Sequence, residues 1–528
     1  MKSVTKGQHT FAQVPQANIQ RSSFNRSSGW KGTMDSGYLV PIMVDEILPG
    51  DTFNHRSTLF GRMATPIYPL MDNMFLETFF FFVPNRLVFE NWQRMMGEQD
   101  NPGDSTDFIL PTSVAPTGGY TEESLQDYMG IPTKVEGLEH NTLHMRAYNL
   151  IYNEWFRDQN LQDSVTVDKG DGPDDPANYT LLRRGKRHDY FTSALPWPQK
   201  GAAVEIPLGG TAPIVPSDGG TEYYQSQGAG NIKANFLSPA AGLTTQWTKD
   251  TSQLGVSQPM DYIGVADLSS ATAATINQLR EAFQIQKMYE RDARGGTRYI
   301  SIIKSHFGIS SPDARLQRPE FLGGGSVPIS INPVQQTSDI ASVGGQGTVG
   351  TLGAQGTVTA HNHGFTKSFT EHGVLIGLAN IRADLTYQQG LNRMWSRSDR
   401  FDFYFPALAS LGEQEILNKE IYAQGVTDPV ADEEIFGYQE RFAEYRYSPS
   451  TIHGQFRSNA TTPLDAWHLS QDFADLPTLS SAFIEDNPPV DRVIAVPSEP
   501  QFILDIFHKT IAARPMPLYG VPGNIDRF

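Results

Sequence analysis

The chain contains no cysteine among its 528 residues. This absence excludes disulfide bonds, thiolate nucleophiles, iron–sulfur clusters and cysteine-ligated zinc, and it is typical of a protein made in a reducing compartment. Long apolar runs are also absent: runs such as Phe79 to Val83 fall far short of the ~20 residues of a membrane-spanning helix. The first thirty residues have no apolar core of a secretory signal. We therefore expect a soluble chain without membrane insertion.

Charged residues are scarce, at 19 % of the chain against a usual ~25 %. Turn-forming residues are abundant instead, with 47 Gly and 35 Pro. Hydrophobic residues make up 39 % and aromatic residues 11 %. Burial of these side chains can offset the conformational entropy that is lost on ordering, so we expect an ordered, turn-rich protein.

The few charges are unevenly distributed. The formal net charge is −17, from 41 Lys and Arg against 58 Asp and Glu. Residues 1–34 contain five basic residues and no acid, so the remaining 36 basic and 58 acidic residues leave −22. This asymmetry predicts a basic arm, residues 1–62, in front of an acidic body. We expect the arm to contact nucleic acid through Lys2, Lys6, Arg21, Arg26 and Lys31.

Hydrophobic patterns predict a β-rich body with a few helices. The run Met74 to Pro84, MFLETFFFFVP, indicates a fully buried strand. Strand composition recurs over residues 373–387, 400–405, 492–496 and 502–512, and helical spacing over 88–97, 143–155, 276–295 and 413–425. Because the strands lie far apart and lack a βαβ rhythm, the pattern favours an all-β sandwich or jelly roll with elaborated loops.

Two polar clusters have metal-ligand chemistry. His361, His363 and His372 with Glu371 could bind a divalent cation, but histidines beside the Gly-rich loop predicted over 341–360 are more commonly solvated side chains. The segment 168–176, DKGDGPDDP, lacks the bidentate Glu that closes a calcium-binding loop, so a solvated loop is favoured there too. We assign no metal ligand and no cofactor.

Nothing local predicts catalysis. Glu433 and Glu434 are adjacent, so on a strand they point to opposite faces and cannot straddle a glycosidic bond. The GxSxG elbow of hydrolases is absent. The string His361-Asn362-His363 matches HNH nucleases by letters alone, which leaves a DNA-processing enzyme as one alternative. We predict a protein that is not an enzyme; the other alternative is a β-sandwich that binds or degrades polysaccharide.

Basic and aromatic residues alternate in two segments, 393–401 and 445–447. Arg393 and Arg397 could meet phosphates of single-stranded nucleic acid while neighbouring rings stack on bases. The competing interpretation is a buried, ion-paired corner, since acidic residues such as Asp399 and Glu444 stand among them. We keep Arg393 and Arg397 as candidate DNA contacts beside that structural interpretation.

Several long strings, in the same order, identify a family. Residues 298–325, RYISIIKSHFGISSPDARLQRPEFLGGG, resemble the major capsid proteins of the gokushoviruses, small single-stranded DNA phages within the microvirus family. The resemblance covers nearly the whole chain, and its other segments are 37–53, 81–99, 383–408, 436–447 and 514–523. Several unusual strings in order are far more specific than any short motif above.

The resemblance implies a single eight-stranded jelly roll with long loop insertions that carry short helices. It implies self-assembly through pentamers into a T=1 icosahedral shell around circular single-stranded DNA, in the cytoplasm of a bacterial host. Further implied partners are a small basic DNA-binding protein, a pilot protein, an internal scaffolding protein and a host surface receptor. Residues 202–270 match the family's threefold protrusion by position and composition, between body segments 63–201 and 271–528.

Overall fold

The computed structural model describes residues 20–202, 204, 214–216, 223–226, 231–233, 260–262, 264–266, 276–296, 298–308, 317–337 and 349–519. Lys2, Lys6 and most of the predicted insertion 202–270 lie outside these residues. The chain forms two compact units, one of residues 1–198 with 294–528 and one of residues 199–293. Among the helices of the described residues, none is long and apolar enough to cross a membrane.

The larger unit is built on ten strands, which confirms the predicted all-β character. In chain order they are β1 (Ser22–Asn25), β2 (Ser28–Met34), β3 (Val40–Ile47), β4 (Thr52–Met63), β5 (Met74–Pro84), β6 (Glu320–Pro328), β7 (Ser330–Gln335), β8 (Leu352–Ser368), β9 (Gly373–Ala383) and β10 (Phe502–Arg514).

These strands form two antiparallel sheets. In the first sheet, β1 and β2 both pair with β10, and the order continues β10-β4-β8-β7. In the second sheet the order is β6-β5-β9-β3. Strand β10 therefore lies between β2 and β4, although it is far from both along the chain.

Side chains of the two sheets pack against each other to form the main core. Buried and exposed residues alternate along β4 and β10, the period of a strand with one face inward. Leu59 and Ile506 of the first sheet belong to the same hydrophobic cluster as Leu76 and Ile381 of the second. The other face of the first sheet is exposed to solvent.

The second sheet is covered on its outer face as well. Every residue of β9 is buried, as expected of an apolar run without alternation. Its outward side chains, such as Ile376 and Leu378, pack with Leu143 and Ala147 of the helix Leu143–Ile151. This helix lies in the long connection between β5 and β6, so the chain's own insertion shields the second sheet.

Shorter elements occupy the loops. The remaining paired strands of the larger unit are Thr112–Val114 with Glu139–Asn141, Thr386–Tyr387 with Ser450–Thr451, and Glu413–Leu417 with Ile435–Glu440. Its other α-helices are Trp92–Met95, Leu125–Tyr128, Tyr299–Phe307, Asn418–Ile421, Pro429–Asp432 and Ser481–Ile484. The described part of the smaller unit contains Ile214–Pro216 paired with Gly264–Ala266, Tyr223–Ser226 paired with Asn231–Lys233 and Met260–Tyr262, and most of the helix Ile276–Gly295.

Several local predictions are corrected by the structure. Residues 400–402 form a 3-10 helix instead of a strand, because the Asp399 carboxylate accepts hydrogen bonds from the backbone N–H groups of Phe401 and Asp402. The helix predicted over 413–425 is a strand followed by one short helix. The segment 492–496 forms no strand, and the loop predicted over 341–360 is already strand β8 from Leu352 on.

The described part of the segment assigned to the arm is built into the sandwich. Strand β1 begins at residue 22, and β2, β3 and β4 follow it. Strand β4 is one of the longest strands of the first sheet. The sandwich therefore starts about forty residues before the predicted end of the arm at residue 62. Lys31 lies on β2, whereas Arg21 and Arg26 flank β1.

A buried histidine pair lies between the sheets. The His55 ring is 5.3 Å from the His508 ring and 4.8 Å from the Phe80 ring. The two ring nitrogens of His55 are each 2.8 Å from a hydroxyl, of Thr510 and of Ser57. Burial, with His508 and Arg56 adding to it, lowers the pKa of His55 to about 3, so this side chain is neutral in the folded protein at pH 7.

The protein is therefore expected to lose stability as the pH falls. The pKa of His55 is lower in the folded protein than its unfolded value of ~6.5. Protonation of His55 therefore favours the unfolded chain as the pH falls below ~6.5. We expect the free energy of unfolding to drop by about 2 kcal/mol between pH 7 and pH 5 for this reason. In H55Q this loss is absent. Urea unfolding of both proteins at pH 7 and pH 5 measures the difference.

The readout is the change with pH, so a lower baseline stability of H55Q does not affect it. Burial raises the pKa of Asp486 to about 6, which stabilises the fold as the pH falls, but this opposite effect is the same in both proteins. Equal pH dependence of the wild type and H55Q would contradict the prediction.

Candidate assembly and nucleic-acid surfaces

The predicted cations of the arm that the structure describes lie at one edge of the first sheet. The Arg21 guanidinium donates to the Gly50 carbonyl at 2.6 Å and to the Thr52 hydroxyl at 3.1 Å. Arg26 pairs with Asp45 at 2.5 Å. Lys31 is 79 % exposed and its Nζ is 3.9 Å from the Asp505 carboxylate. Lys31 is thus the freest of the three to meet a further partner.

Arg393 and Arg397 lie together in a second region, in ion pairs. Arg393 donates to Glu420 at 2.8 Å, and Arg397 donates to Glu444 at 3.2 Å. The side chains of Arg397 and Glu444 are only 9 % and 8 % exposed. Burial raises the pKa of Glu420 above its ordinary value even though Arg393 acts to lower it. This geometry favours the ion-paired corner, while DNA contact by these arginines stays a prediction.

Around that corner lies a group of exposed rings, which we call the aromatic patch. The Arg397 guanidinium lies over two of its rings, 5.2 Å from the centre of Phe403 and 4.3 Å from that of Tyr445. Two further rings, of Trp395 and Phe401, are 71 % and 61 % exposed. The patch consists of Trp395, Phe401, Phe403, Tyr404 and Tyr445.

Exposed aromatic side chains beside an arginine are typical of sites of association, because the centres of protein interfaces are enriched in aromatic residues and arginine. The local backbone is held in place, since Arg441 donates to the Phe401 carbonyl at 2.9 Å. The rings are therefore presented by an ordered loop rather than buried by it.

The structure does not bring the histidine cluster together. His361 is exposed, whereas His363 is buried with its Nδ1 2.8 Å from the Thr78 hydroxyl, so a solvated position was wrong for His363. Glu371 pairs with Arg86, and His372 packs against Trp92. Within the described residues, no group of three or more histidine or carboxylate side chains is placed to hold a metal ion.

Sequence reasoning missed a buried ion pair that fixes the helical insertion. Arg146 and Asp174 form a bidentate pair at 2.7 and 2.5 Å, with side chains 0 % and 1 % exposed. Arg146 also donates to the carbonyls of Val88 and Gly170. One signal was available, because Arg146 stands one turn after the apolar Leu143 in the segment predicted to be helical and so lies on the same side of that helix. Asp174 was hidden in a run of carboxylates that suggested a solvated loop.

The two interpretations of Arg397 make different predictions. If the arginine is structural, R397Q leaves the buried Glu444 carboxylate without its cationic partner and lowers the free energy of unfolding by about 3 kcal/mol, while affinity for single-stranded DNA is unchanged. Thermal unfolding and fluorescence anisotropy with a labelled oligonucleotide measure the two effects. Weaker DNA binding with unchanged stability would instead support the DNA contact.

Comparison with known proteins covers the whole chain. A family model described as capsid protein (F protein) matches residues 12–524. The capsid protein VP1 of Bdellovibrio phage phiMH2K is 51 % identical over 99 % of this chain and 98 % of its own length. VP1 of Chlamydia phage 1 is 44 % identical over 97 % of both chains, and VP1 of Spiroplasma virus 4 is 37 % identical over 98 % and 97 %. The chain belongs to the phage capsid protein (F protein) family, and its role is that of a major structural protein of the virion.

Proposed function

We propose that the protein self-assembles, through pentamers, into a T=1 icosahedral shell that encloses circular single-stranded DNA, and that it has no catalytic role. The proposal rests on the sequence similarity of nearly the whole chain to the capsid proteins VP1 of three phages and viruses. The low charge content and the exposed aromatic patch support it, because a subunit surrounded by copies of itself turns much of its surface into interface.

We infer that the sandwich is a jelly roll of eight strands. Four antiparallel pairs support this topology: β2 with β10, β3 with β9, β4 with β8 and β5 with β6. Each pair nests inside the previous one along the chain, as in one long hairpin that is rolled into two sheets. On this interpretation β1 and β7 are additions at the edges of the first sheet.

The aromatic patch is the subunit contact that we propose for shell assembly. Its rings are exposed in the single subunit, and Arg397 holds two of them in position. Burying such rings against a second copy removes apolar surface from water, and aromatic anchors are among the residues that dominate interface energetics. The ordered loop reduces the conformational entropy that is lost on association.

The double variant W395S/F401S is therefore expected to fold but to stop short of shells. Its thermal unfolding should match the wild type, since both side chains are mostly exposed. The matched control is I109S/V426S, which removes two side chains that are 80 % and 100 % exposed elsewhere. Electron microscopy and sedimentation, with DNA and a scaffolding protein present, measure assembly. Shells formed equally well by W395S/F401S would contradict the role of the patch, and wild-type protein that stays monomeric would contradict the proposed function.

Further parts of the proposal come from the family resemblance. Residues 202–270 contain only two basic residues, Lys233 and Lys249, and we propose that they form the threefold protrusion that meets a host receptor. We also propose assembly in the bacterial cytoplasm, with a small basic DNA-binding protein, a pilot protein and an internal scaffolding protein as partners.

The basic arm is proposed to lie inside the shell, against the genome. Replacing Lys2, Lys6, Arg21, Arg26 and Lys31 together by Gln should lower the DNA content of purified particles more than it lowers subunit stability, because fewer phosphates are neutralised. Ultraviolet absorbance ratios of particles and thermal unfolding of subunits measure the two effects. Equal loss of both would refute a separate DNA-binding role, since Arg21 and Arg26 also contact the fold.

A further inference from the structure

The two sheets differ in what covers their outer faces. The helix Leu143–Ile151 and its neighbours pack on the second sheet. The outer face of the first sheet remains open, with exposed residues at alternate positions of β4 and β10. We call this surface the open face. A sheet face that none of the described residues covers needs an explanation in an assembled particle.

The two sheets differ in the numbers of acidic and basic residues on their strands. The six strands of the first sheet contain a single acidic residue, Asp505, although the chain has 58. The same strands contain six basic residues, and the four on the open face are Lys31, Arg56, Arg62 and Lys509. The second sheet has the opposite balance, with four acidic residues and one arginine. The open face is therefore a basic surface on an acidic protein.

Two of these cations oppose each other directly. Arg56 and Lys509 are cross-strand partners in the register of β4 and β10, and like charges in that position destabilise a sheet. Among the residues that the structure describes, neither forms an ion pair. Such a pair is stabilised by an anion bound from outside, so the arrangement points to an anionic ligand.

Exposed rings lie in the rows beside these cations. Phe507 is 53 % exposed and follows the Arg56–Lys509 row, and Phe60 is 43 % exposed in the row of Lys31 and Asp505. The Arg62 guanidinium lies 5.7 Å from the centre of the Phe60 ring. Over four successive rows, roughly 6.7 Å apart, the outer two hold Arg56 with Lys509 and Arg62, and the inner two hold the rings of Phe507 and Phe60. Cations beside aromatic rings are the combination that binds single-stranded nucleic acid without sequence preference.

We propose that the open face binds single-stranded DNA, with Arg56, Arg62 and Lys509 contacting phosphates and with Phe60 and Phe507 stacking on bases. The inference rests on the proposed enclosure of a DNA genome, and it implies that the open face of the first sheet lies toward that genome. The location of the arm supports it, because β1 and β2 extend the same sheet at the edge where Arg21 and Arg26 lie.

The test compares two triple variants of the full chain that change the net charge equally. R56Q/R62Q/K509Q removes cations of the open face, and R94Q/K134Q/K169Q removes exposed cations elsewhere. Binding of a labelled thirty-residue oligo(dT) is measured by anisotropy over a salt series. For the first variant we expect weaker binding and a slope of log K against log salt reduced by about 2, since each phosphate contact on a single strand contributes ~0.7. The control variant should keep the wild-type slope.

A second variant, F60S/F507S, separates stacking from charge. It should weaken binding while the salt slope stays at the wild-type value, because no cation is removed. Thermal unfolding of each variant shows whether the fold is intact. Equal loss of affinity in both triple variants, or no loss in either, would overturn the inference.

Particle assembly distinguishes failure of the inference from failure of the proposed function. R56Q/R62Q/K509Q should still form shells by electron microscopy, with less DNA inside. If this variant binds DNA normally but no longer forms shells, the open face contacts a second copy of the chain and the inference is wrong, while the proposed shell stands. If the wild type forms no shells, the proposed function fails, whatever the binding data show.

Discussion

The fold depends on the complete burial of β9. A strand with apolar side chains on both faces is stable only if a layer covers each of them. The first sheet supplies one layer through residues such as Leu504, and the helix Leu143–Ile151 supplies the other. The insertion between β5 and β6 is therefore part of the core, held by the Arg146–Asp174 pair. With that layer in place, it is the first sheet whose outer face stays exposed in the described part of the chain.

Buried charges and exposed charges differ in whether they have a partner of opposite charge. In the interior, Glu77 accepts hydrogen bonds from Arg382 at 2.8 Å and Arg184 at 2.6 Å; burial alone would raise the pKa of Glu77, but these two arginines hold it below its ordinary value. Arg397 is likewise held by Glu444. On the open face, Arg56 and Lys509 are exposed, and no acid of the described residues pairs with either of them. The chain contains few charged residues overall, but its open face is basic.

Continuous apolar runs made part of the fold predictable. The run Met74 to Pro84 is strand β5 with the predicted bounds, and the segment 143–155 with helical spacing begins as the α-helix Leu143–Ile151. Strand β4 was missed because two of its inward positions hold His55 and Ser57, which hide the alternation of polar and apolar residues. Those polar side chains are satisfied by each other and by Thr510, a partner 455 residues away that no local pattern reveals.

The candidate sites show the same limit. The sequence singled out Arg393 and Arg397 by their aromatic neighbours, but their partners Glu420 and Glu444 lie 27 and 47 residues further along the chain. The open face could not be predicted at all, since it combines strands from opposite ends of the sequence. Alternation along a strand indicates that one face is exposed, whereas only the register of β4 with β10 places Arg56 opposite Lys509.

The position of β10 has a consequence for the order of events on the ribosome. Because β10 is the bridge between β2 and β4, the first sheet stays divided into two parts until residues 502–514 have been synthesised. Contacts this distant in sequence form late, since a long loop must close before they are made. The halves of the first sheet join only when nearly all of the described chain has been translated. A nascent subunit therefore has no finished sandwich until β10 has been made.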